Sequence, residues 1–102
     1  MALVTLVLYD IGQDRMRLKV EALLRDYGLK RAQRSVFRGR LDTTHRAAMV
    51  SELSSLCPEE PLGAWDIQLY VISEDDFNLH VRLGRLGPIS DEIDDNEEVV
   101  IL

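Results

Sequence analysis

The chain has 102 residues, of which 46% are hydrophobic and 29% charged, with a single cysteine and a formal net charge of −6. This length and composition are typical of one soluble domain with one core, which excludes a two-domain organisation and an internal disulfide. The N-terminal apolar run is short and has no basic flank before it, so neither a signal peptide nor a membrane span is expected. A cytoplasmic protein is therefore predicted.

The charge is unevenly distributed along the chain. Up to Leu41 there are nine basic and four acidic residues, whereas from Asp42 onward there are three basic and fourteen acidic ones. A polyanion responds to the local potential of the surface that it touches, so the basic first half remains compatible with phosphate binding. A solvated, basic helix face is the alternative explanation of the same excess.

The first predicted element is a strand over residues 2–10, in which only Thr5 interrupts the apolar surface. Such a run indicates a strand covered on both faces, at the centre of a sheet. Asp10 would then lie at the carboxyl end of this strand, where a carboxylate stays hydrated and can bind a metal or accept a proton. A strand that simply ends in an aspartate is the alternative.

Residues 13–27 have apolar side chains at helical spacing, and Gly28 follows as a C-terminal cap. A helical projection places Arg17, Glu21 and Arg25 together on the far side from the apolar face. Asp14, Arg15 and Arg17 belong to the first turn and are the helical residues expected to lie close to Asp10.

Residues 29–41 are extended in character. Arg34, Arg38 and Arg40 share one parity, so a single straight strand would carry a basic face beside Phe37. A break near Arg34 and Ser35 would instead give two short strands, and Gly39 indicates a bulge. The basic face fits a nucleic-acid surface, or equally an edge strand protected by charge against aggregation.

The second half contains a helix, two strands and an acidic tail. Asp42, Thr43 and Thr44 offer an N-cap for a helix that ends at Cys57 and Pro58. Residues 65–73 alternate as a half-open strand and are predicted to form a hairpin with residues 79–84 after an acidic turn. An acidic linker at 88–98 precedes the apolar strand 99–102, which is too short to be stable unless it completes a sheet, either its own or that of a neighbour; this indicates strand exchange in a dimer.

This order of elements predicts an α+β fold, a single ferredoxin-like βαββαβ sandwich over residues 1–102 with an extra C-terminal strand. Both helices would cover one face of the antiparallel sheet. The other face would need a second subunit, and a twofold homodimer is the simplest cover.

The chain also resembles the CRISPR-associated protein 2 family, the small partner of the CRISPR spacer-acquisition integrase. The resemblance rests on an ordered set of short motifs: Tyr9-Asp10-Ile11, Arg15 and Arg17 in the first helical turn, Asp26-Tyr27-Gly28-Leu29, the run from Gln33 to Leu41, and Glu97-Glu98-Val99-Val100-Ile101. It implies a homodimer that exchanges its C-terminal strand, Mg²⁺-dependent endonuclease activity on RNA or duplex DNA, and a role in holding DNA for CRISPR-associated protein 1 during spacer acquisition.

The resemblance also implies the site residues. Asp10 is the expected metal ligand, with Arg17 and Arg31 as catalytic partners, and the positions implied around it are Tyr9, Lys19, Ser35 and Phe37. Lys19 stands where many relatives carry arginine, so it keeps the charge but loses the bidentate fork. The residues expected to bind nucleic acid are Arg15, Arg17, Lys19, Arg34, Arg38 and Arg40.

Since Mg²⁺ keeps several waters and needs only one or two carboxylates, two Asp10 side chains across a twofold axis would suffice to hold it. Three hypotheses stay open at this point: a metal-dependent nuclease centred on Asp10, a non-catalytic scaffold that binds duplex DNA, and a toxin-type ribonuclease resembling virulence-associated protein D.

Overall fold

A computed structural model describes residues 2–56 and 64–84, together with the backbone of Val99–Val100. Four antiparallel strands form a sheet in the order β2-β3-β1-β4, and two long helices connect them. The elements are β1 (Leu3–Ile11), α1 (Asp14–Asp26), β2 (Lys30–Gln33), β3 (Val36–Arg40), α2 (Thr43–Leu56) and β4 (Trp65–Ser73). The predicted ferredoxin-like α+β fold is confirmed.

The central strand β1 has two different faces. Its residues Val7, Tyr9 and Ile11 are buried and belong to one core that the helices complete through residues such as Val20 and Met49. On the other face of the sheet Val4 is buried, Leu6 and Leu8 are half-buried and Asp10 is exposed. The sequence predicts cover on both faces; among the described residues, the helix side is covered along the whole strand, whereas the other face is open towards Asp10.

Helix α1 begins and ends where the sequence predicts. The Gln13 side chain caps its start by accepting a 3.2 Å hydrogen bond from the Met16 N–H. After the helix, Gly28 has a φ of 84°, a left-handed conformation that glycine adopts without strain. The predicted exposure of Glu21 is wrong, since this residue is buried. It is three residues from the buried Leu24, and side chains at this spacing are neighbours on a helix surface.

The strands β2 and β3 form a hairpin that turns at residues 34–35, so the predicted break there is confirmed. The bulge lies elsewhere than predicted, since the register shifts between Arg31 and Gln33. Gly39 instead marks a close approach of two chain segments, because a Cβ at this position would lie 3.2 Å from the Leu29 Cα.

Helix α2 is capped by Asp42, whose Oδ1 accepts a 2.7 Å hydrogen bond from the His45 N–H. This bond, together with a second one from the His45 ring, lowers the pKa of the Asp42 carboxyl. A carboxyl whose pKa is lower in the folded chain stabilises the fold above its ordinary pKa of about 4, and the effect is lost as the pH falls through the lower, folded value.

We therefore expect Asp42→Ala to lower the thermal unfolding midpoint at neutral pH and to converge with the parent protein in strong acid. Asp42→Asn should retain the cap while losing this part of the pH dependence, because asparagine caps helices about as well as aspartate. Thermal unfolding followed between pH 2 and 7 checks both variants. An Asp42→Ala protein with the parental midpoint at neutral pH would contradict the assignment.

The predicted hairpin of residues 65–73 with residues 79–84 is wrong. Ser73 caps a short helix, α3 (Glu74–Phe77), which redirects the chain away from β4 before a second strand can pair with it. The next strand is only β5 (Arg82–Leu83), and it pairs in parallel with β6 (Val99–Val100) in a separate two-stranded sheet.

The acidic linker at 88–98 lies outside the described residues, and strand exchange by residues 99–102 stays a prediction. In the described part of the chain, no helix has the length and apolar character needed to cross a membrane.

Candidate metal and nucleic-acid site

The end of the sheet at which β1 finishes carries two opposed carboxylates. Asp10 of β1 is directly opposite Asp66 of β4 in the antiparallel register, and both are exposed. Residues paired in this way have Cβ atoms roughly 4.5–5.5 Å apart on one face of a sheet, where like charges repel each other. This face is the one that the helices leave open, and a bound cation there would relieve the repulsion.

Asp66 is the first of a row of hydrogen-bonded polar side chains along the exposed face of β4. The Gln68 Nε2 donates a 2.8 Å hydrogen bond to Asp66 Oδ2, and the Tyr70 hydroxyl donates a 2.7 Å bond to Gln68 Oε1. The amide of Gln68 thereby orients the Asp66 carboxylate. Alternation in the sequence indicates that Asp66 lies on the open side, but the β1–β4 register that places it opposite Asp10 cannot be inferred from either strand alone.

The donor atoms of this pair fit Mg²⁺. Hard cations bind carboxylate oxygens, and Mg²⁺ typically uses one or two carboxylates and keeps several waters. Within residues 2–56 and 64–84 there is no cluster of three or more His, Cys, Asp and Glu side chains that could hold a metal. Asp10 and Asp66 would therefore hold a hydrated ion with open coordination positions.

On the helix side of the sheet, Tyr9 of β1, Glu21 of α1 and the half-buried Arg31 of β2 form a polar cluster. The Tyr9 hydroxyl donates a hydrogen bond to Glu21 Oε2, and the Arg31 Nη2 lies 3.0 Å from the same oxygen. Burial raises the pKa of the Tyr9 hydroxyl, and the hydrogen bond and charge of Glu21 raise it further. Arg31 and Tyr9 were implied by the resemblance, whereas the sequence projection misplaced Glu21.

Phe37 lies under this cluster and is fully buried. The Arg31 and Arg25 guanidinium carbons lie 5.3 Å and 5.4 Å from the centre of its ring, which is within the range of cation–π contacts. Arg31 pairs with Phe37 in the β2–β3 register, so its side chain is on the helix side of the sheet. Asp10 is on the other side.

Of the two arginines expected to act in catalysis, Arg31 is therefore not brought to Asp10 within one chain. Arg31 is separated from Asp10 by the sheet, and the Arg17 Nη1 lies 2.9 Å from the Asp14 carboxylate in the first turn of α1. A role for either arginine in catalysis stays a prediction. What the structure does place near Asp10 is the β2–β3 turn, because the Tyr9 N–H donates a 3.0 Å bond to the Ser35 carbonyl oxygen.

The arginines expected to bind nucleic acid differ in accessibility. Arg15, Lys19 and Arg34 are exposed, and Arg34 occupies the turn next to Asp10. Arg38 is only 8% exposed, with its guanidinium carbon 5.4 Å from the centre of the Phe77 ring. Arg17 is half-buried and paired with Asp14, and Arg40 is exposed at the far end of β3, where it forms an ion pair with Glu74 of α3.

Fold and site together define a small ferredoxin-like protein with two opposed carboxylates at one end of its sheet, next to the β2–β3 turn that contains Arg34. The family model of CRISPR associated protein Cas2 matches residues 1–79 of this chain. The chain belongs to the Cas2 family, and it is accordingly a CRISPR-associated protein.

Known relatives agree with this membership. The CRISPR-associated endoribonuclease Cas2 of Korarchaeum cryptofilum is 37% identical over 81 residues, which cover 78% of this chain and 83% of the relative. A CRISPR-associated endonuclease Cas1/endonuclease Cas2 fusion of Thermoproteus tenax is 34% identical over 84 residues, covering 81% of this chain and 30% of the fusion. A crystal structure of cas2 has the same fold, with a TM-score of 0.66 at 22% identity over 92% of this chain and 97% of that one.

Proposed function

We propose that this protein is a cytoplasmic, dimeric spacer-acquisition protein that cleaves RNA or DNA at a Mg²⁺ site containing Asp10 and that holds DNA for the CRISPR integrase Cas1. The observation that carries the proposal is the pair of exposed, opposed carboxylates Asp10 and Asp66 beside the Arg34 turn. The endoribonuclease relative supports the cleavage, and the relative that fuses Cas1 to Cas2 supports the partnership.

In this proposal Asp10 and Asp66 hold the cation, and Arg34 and Arg15 bind phosphates at its border. Mg²⁺, when bound, would polarise a phosphoryl oxygen and lower the pKa of a coordinated water. Guanidinium groups bind phosphate oxygens through paired N–H donors, so the two arginines would orient the strand on the open face. Arg31 would act from the helix side, by supporting the hairpin that carries Arg34.

The open face of the sheet supports the dimer. Leu6 and Leu8 of β1 are only half-buried there, and Tyr70 of β4 is 51% exposed. A second copy would cover these side chains and, across a twofold axis, would bring a second Asp10 to the same end of the sheet. Because the same contact would bury these apolar side chains and complete the metal site, the dimer is the proposed active form.

The direct test is cleavage by the purified protein. We expect hydrolysis of a single-stranded RNA or a duplex DNA in Mg²⁺ and none in excess chelator, with a molar mass by light scattering of twice the chain mass. Cleavage that persists in chelator would overturn the metal site. A monomer that retains full activity would overturn the dimer as the active form.

A second candidate function is a scaffold that binds duplex DNA without cleaving it. It is favoured by the placement of Arg31, which lies on the opposite side of the sheet from Asp10, and by the ion pair that Arg17 forms with Asp14. Under this alternative, purified protein binds DNA but leaves it intact, and integration with Cas1 survives substitution of Asp10. The family match removes the reason to propose a toxin-type ribonuclease.

Both candidates predict that charge reversal at the turn weakens binding. We expect Arg34→Glu to reduce nucleic-acid affinity and to lower the slope of log affinity against log salt by about 0.9 for duplex DNA, as for the loss of one phosphate contact. Arg46→Glu is the matched control, because Arg46 lies in the first turn of α2, where a negative charge is well tolerated. Equal loss in both variants would show that binding depends on net charge and not on the turn.

A further inference from the structure

The carboxylate of Glu21 is buried, with 6% of the residue exposed, although it lies on a helix whose other charged residues face solvent. A buried carboxylate is strongly unfavourable unless it is hydrogen-bonded and paired with a cation. Glu21 has both kinds of partner, since it accepts from the Tyr9 hydroxyl and forms an ion pair with Arg31 at 3.0 Å. Removing it would leave both groups without an acceptor that they use in the interior.

These two partners lie on strands that are not neighbours. Tyr9 is in β1 and Arg31 in β2, and β3 separates the two strands in the sheet. One side chain of α1 therefore holds both strands across the fully buried Phe37 of β3. This arrangement makes Glu21 the point at which the helix, the central strand and the β2–β3 hairpin are joined.

The Tyr9 hydroxyl extends this link to the turn. It lies 3.0 Å from the Arg34 carbonyl oxygen as well as in hydrogen-bond contact with Glu21. The backbone of Tyr9 also donates to the Ser35 carbonyl at 3.0 Å, and the next residue in the chain is Asp10. The position of the turn relative to Asp10 is thus set through Tyr9, whose side chain is oriented by Glu21.

We propose that Glu21 is a positioning residue for the candidate site: through Tyr9 and Arg31 it fixes the β2–β3 turn, and so the placement of Arg34 beside Asp10. Glu21 does not touch a bound strand, because it lies on the helix side of the sheet. The role rests on the proposed function for its biological meaning, but the geometry that it controls can be measured independently of cleavage.

The test compares Glu21→Gln and Tyr9→Phe with Glu52→Gln in the full-length protein. Gln keeps the size of Glu21 but removes the charge that pairs with Arg31, and Phe keeps the ring of Tyr9 but removes the hydroxyl. The control makes the same change at a second tyrosine–glutamate bond, an exposed one between α1 and α2 away from the site, in which the Tyr27 hydroxyl donates to Glu52 Oε1 at 3.0 Å. All three variants are compared at equal folded fraction, verified by circular dichroism.

We expect both site variants to accelerate hydrogen exchange of the Tyr9 amide about tenfold, because its bond to the turn loosens. We also expect them to lower kcat about 10-fold to 100-fold with little change in KM, as for small misplacement of a reacting group. Glu52→Gln should change neither quantity. A purely structural Glu21 would lower the unfolding temperature without this split between kcat and KM.

The outcomes separate the two proposals. Unchanged Tyr9 exchange in both site variants, or equal effects in the Glu52→Gln control, would overturn the positioning role. Absence of cleavage by the unaltered protein would overturn the nuclease function. Faster hydrogen exchange of the Tyr9 amide in the variants would even then support the positioning role, which would concern nucleic-acid binding and not cleavage. If Glu21→Gln does not fold, Tyr9→Phe alone decides the question.

Discussion

Asp10→Asn is expected to lower Mg²⁺-dependent cleavage by about 100-fold or more, the scale seen when one electrostatic group is removed from a catalytic centre. Asparagine has the same shape but no charge, so it remains a weak ligand at the position opposite Asp66. Because Asp10 is exposed and has no role in the core, folding and nucleic-acid binding should change by less than about threefold. Single-turnover cleavage across a Mg²⁺ titration measures the effect.

Asp26→Asn is the matched control, because Asp26 is an exposed carboxylate at the end of α1, remote from the sheet face that carries Asp10. Asp66→Asn provides the complementary measurement. If Asp66 is a ligand, its substitution should raise the Mg²⁺ concentration needed for half-maximal cleavage. Cleavage by the Asp10→Asn protein at the parental rate would show that hydrolysis occurs elsewhere.

Phe37→Ala is expected to lower the free energy of unfolding by about 3–5 kcal/mol, the range measured for large aromatic side chains removed from cores. The ring is fully buried, its centre lies 6.1 Å from that of Tyr9, and two guanidinium groups contact it. Its loss would leave a cavity below the Glu21 cluster and remove both cation–π contacts. Urea unfolding followed by circular dichroism measures the change.

Phe37→Leu separates the volume of the ring from its electronic character. Leucine refills much of the space, so its cost should be about 1–2 kcal/mol, which includes the lost cation–π contacts. A Phe37→Ala protein destabilised by less than about 1 kcal/mol would mean that the site collapses around the cavity, and that the ring does not hold the β2–β3 hairpin in place.

Much of the fold follows from local patterns. The apolar run before Asp10 predicts the central strand, and the spacing that ends at Gly28 predicts α1, because both signals lie within a few residues of the structure they specify. The break at residues 34–35 is visible for the same reason. Asp42 is a further case, since a capping carboxylate acts on an amide only three residues away.

The errors concern relations between segments. Glu21 borders the apolar face of α1, and only the presence of Tyr9 and Arg31 on the sheet decides that it points inward. Similarly, Asp66 becomes a neighbour of Asp10 only through the β1–β4 register, which depends on pairing over more than fifty residues of chain. The hairpin prediction fails because Ser73 caps a short helix, which the alternation of the two flanking segments does not reveal.

The strand order also determines the sequence of events during synthesis. The ribosome makes β1 first, yet its two neighbours are completed only at Arg40 and at Ser73. At about 5–20 residues per second, the 33 residues between those points take roughly 2–7 s to translate. During that interval the most apolar strand of the nascent chain has one open edge, so this protein is most prone to aggregation before its fourth strand emerges.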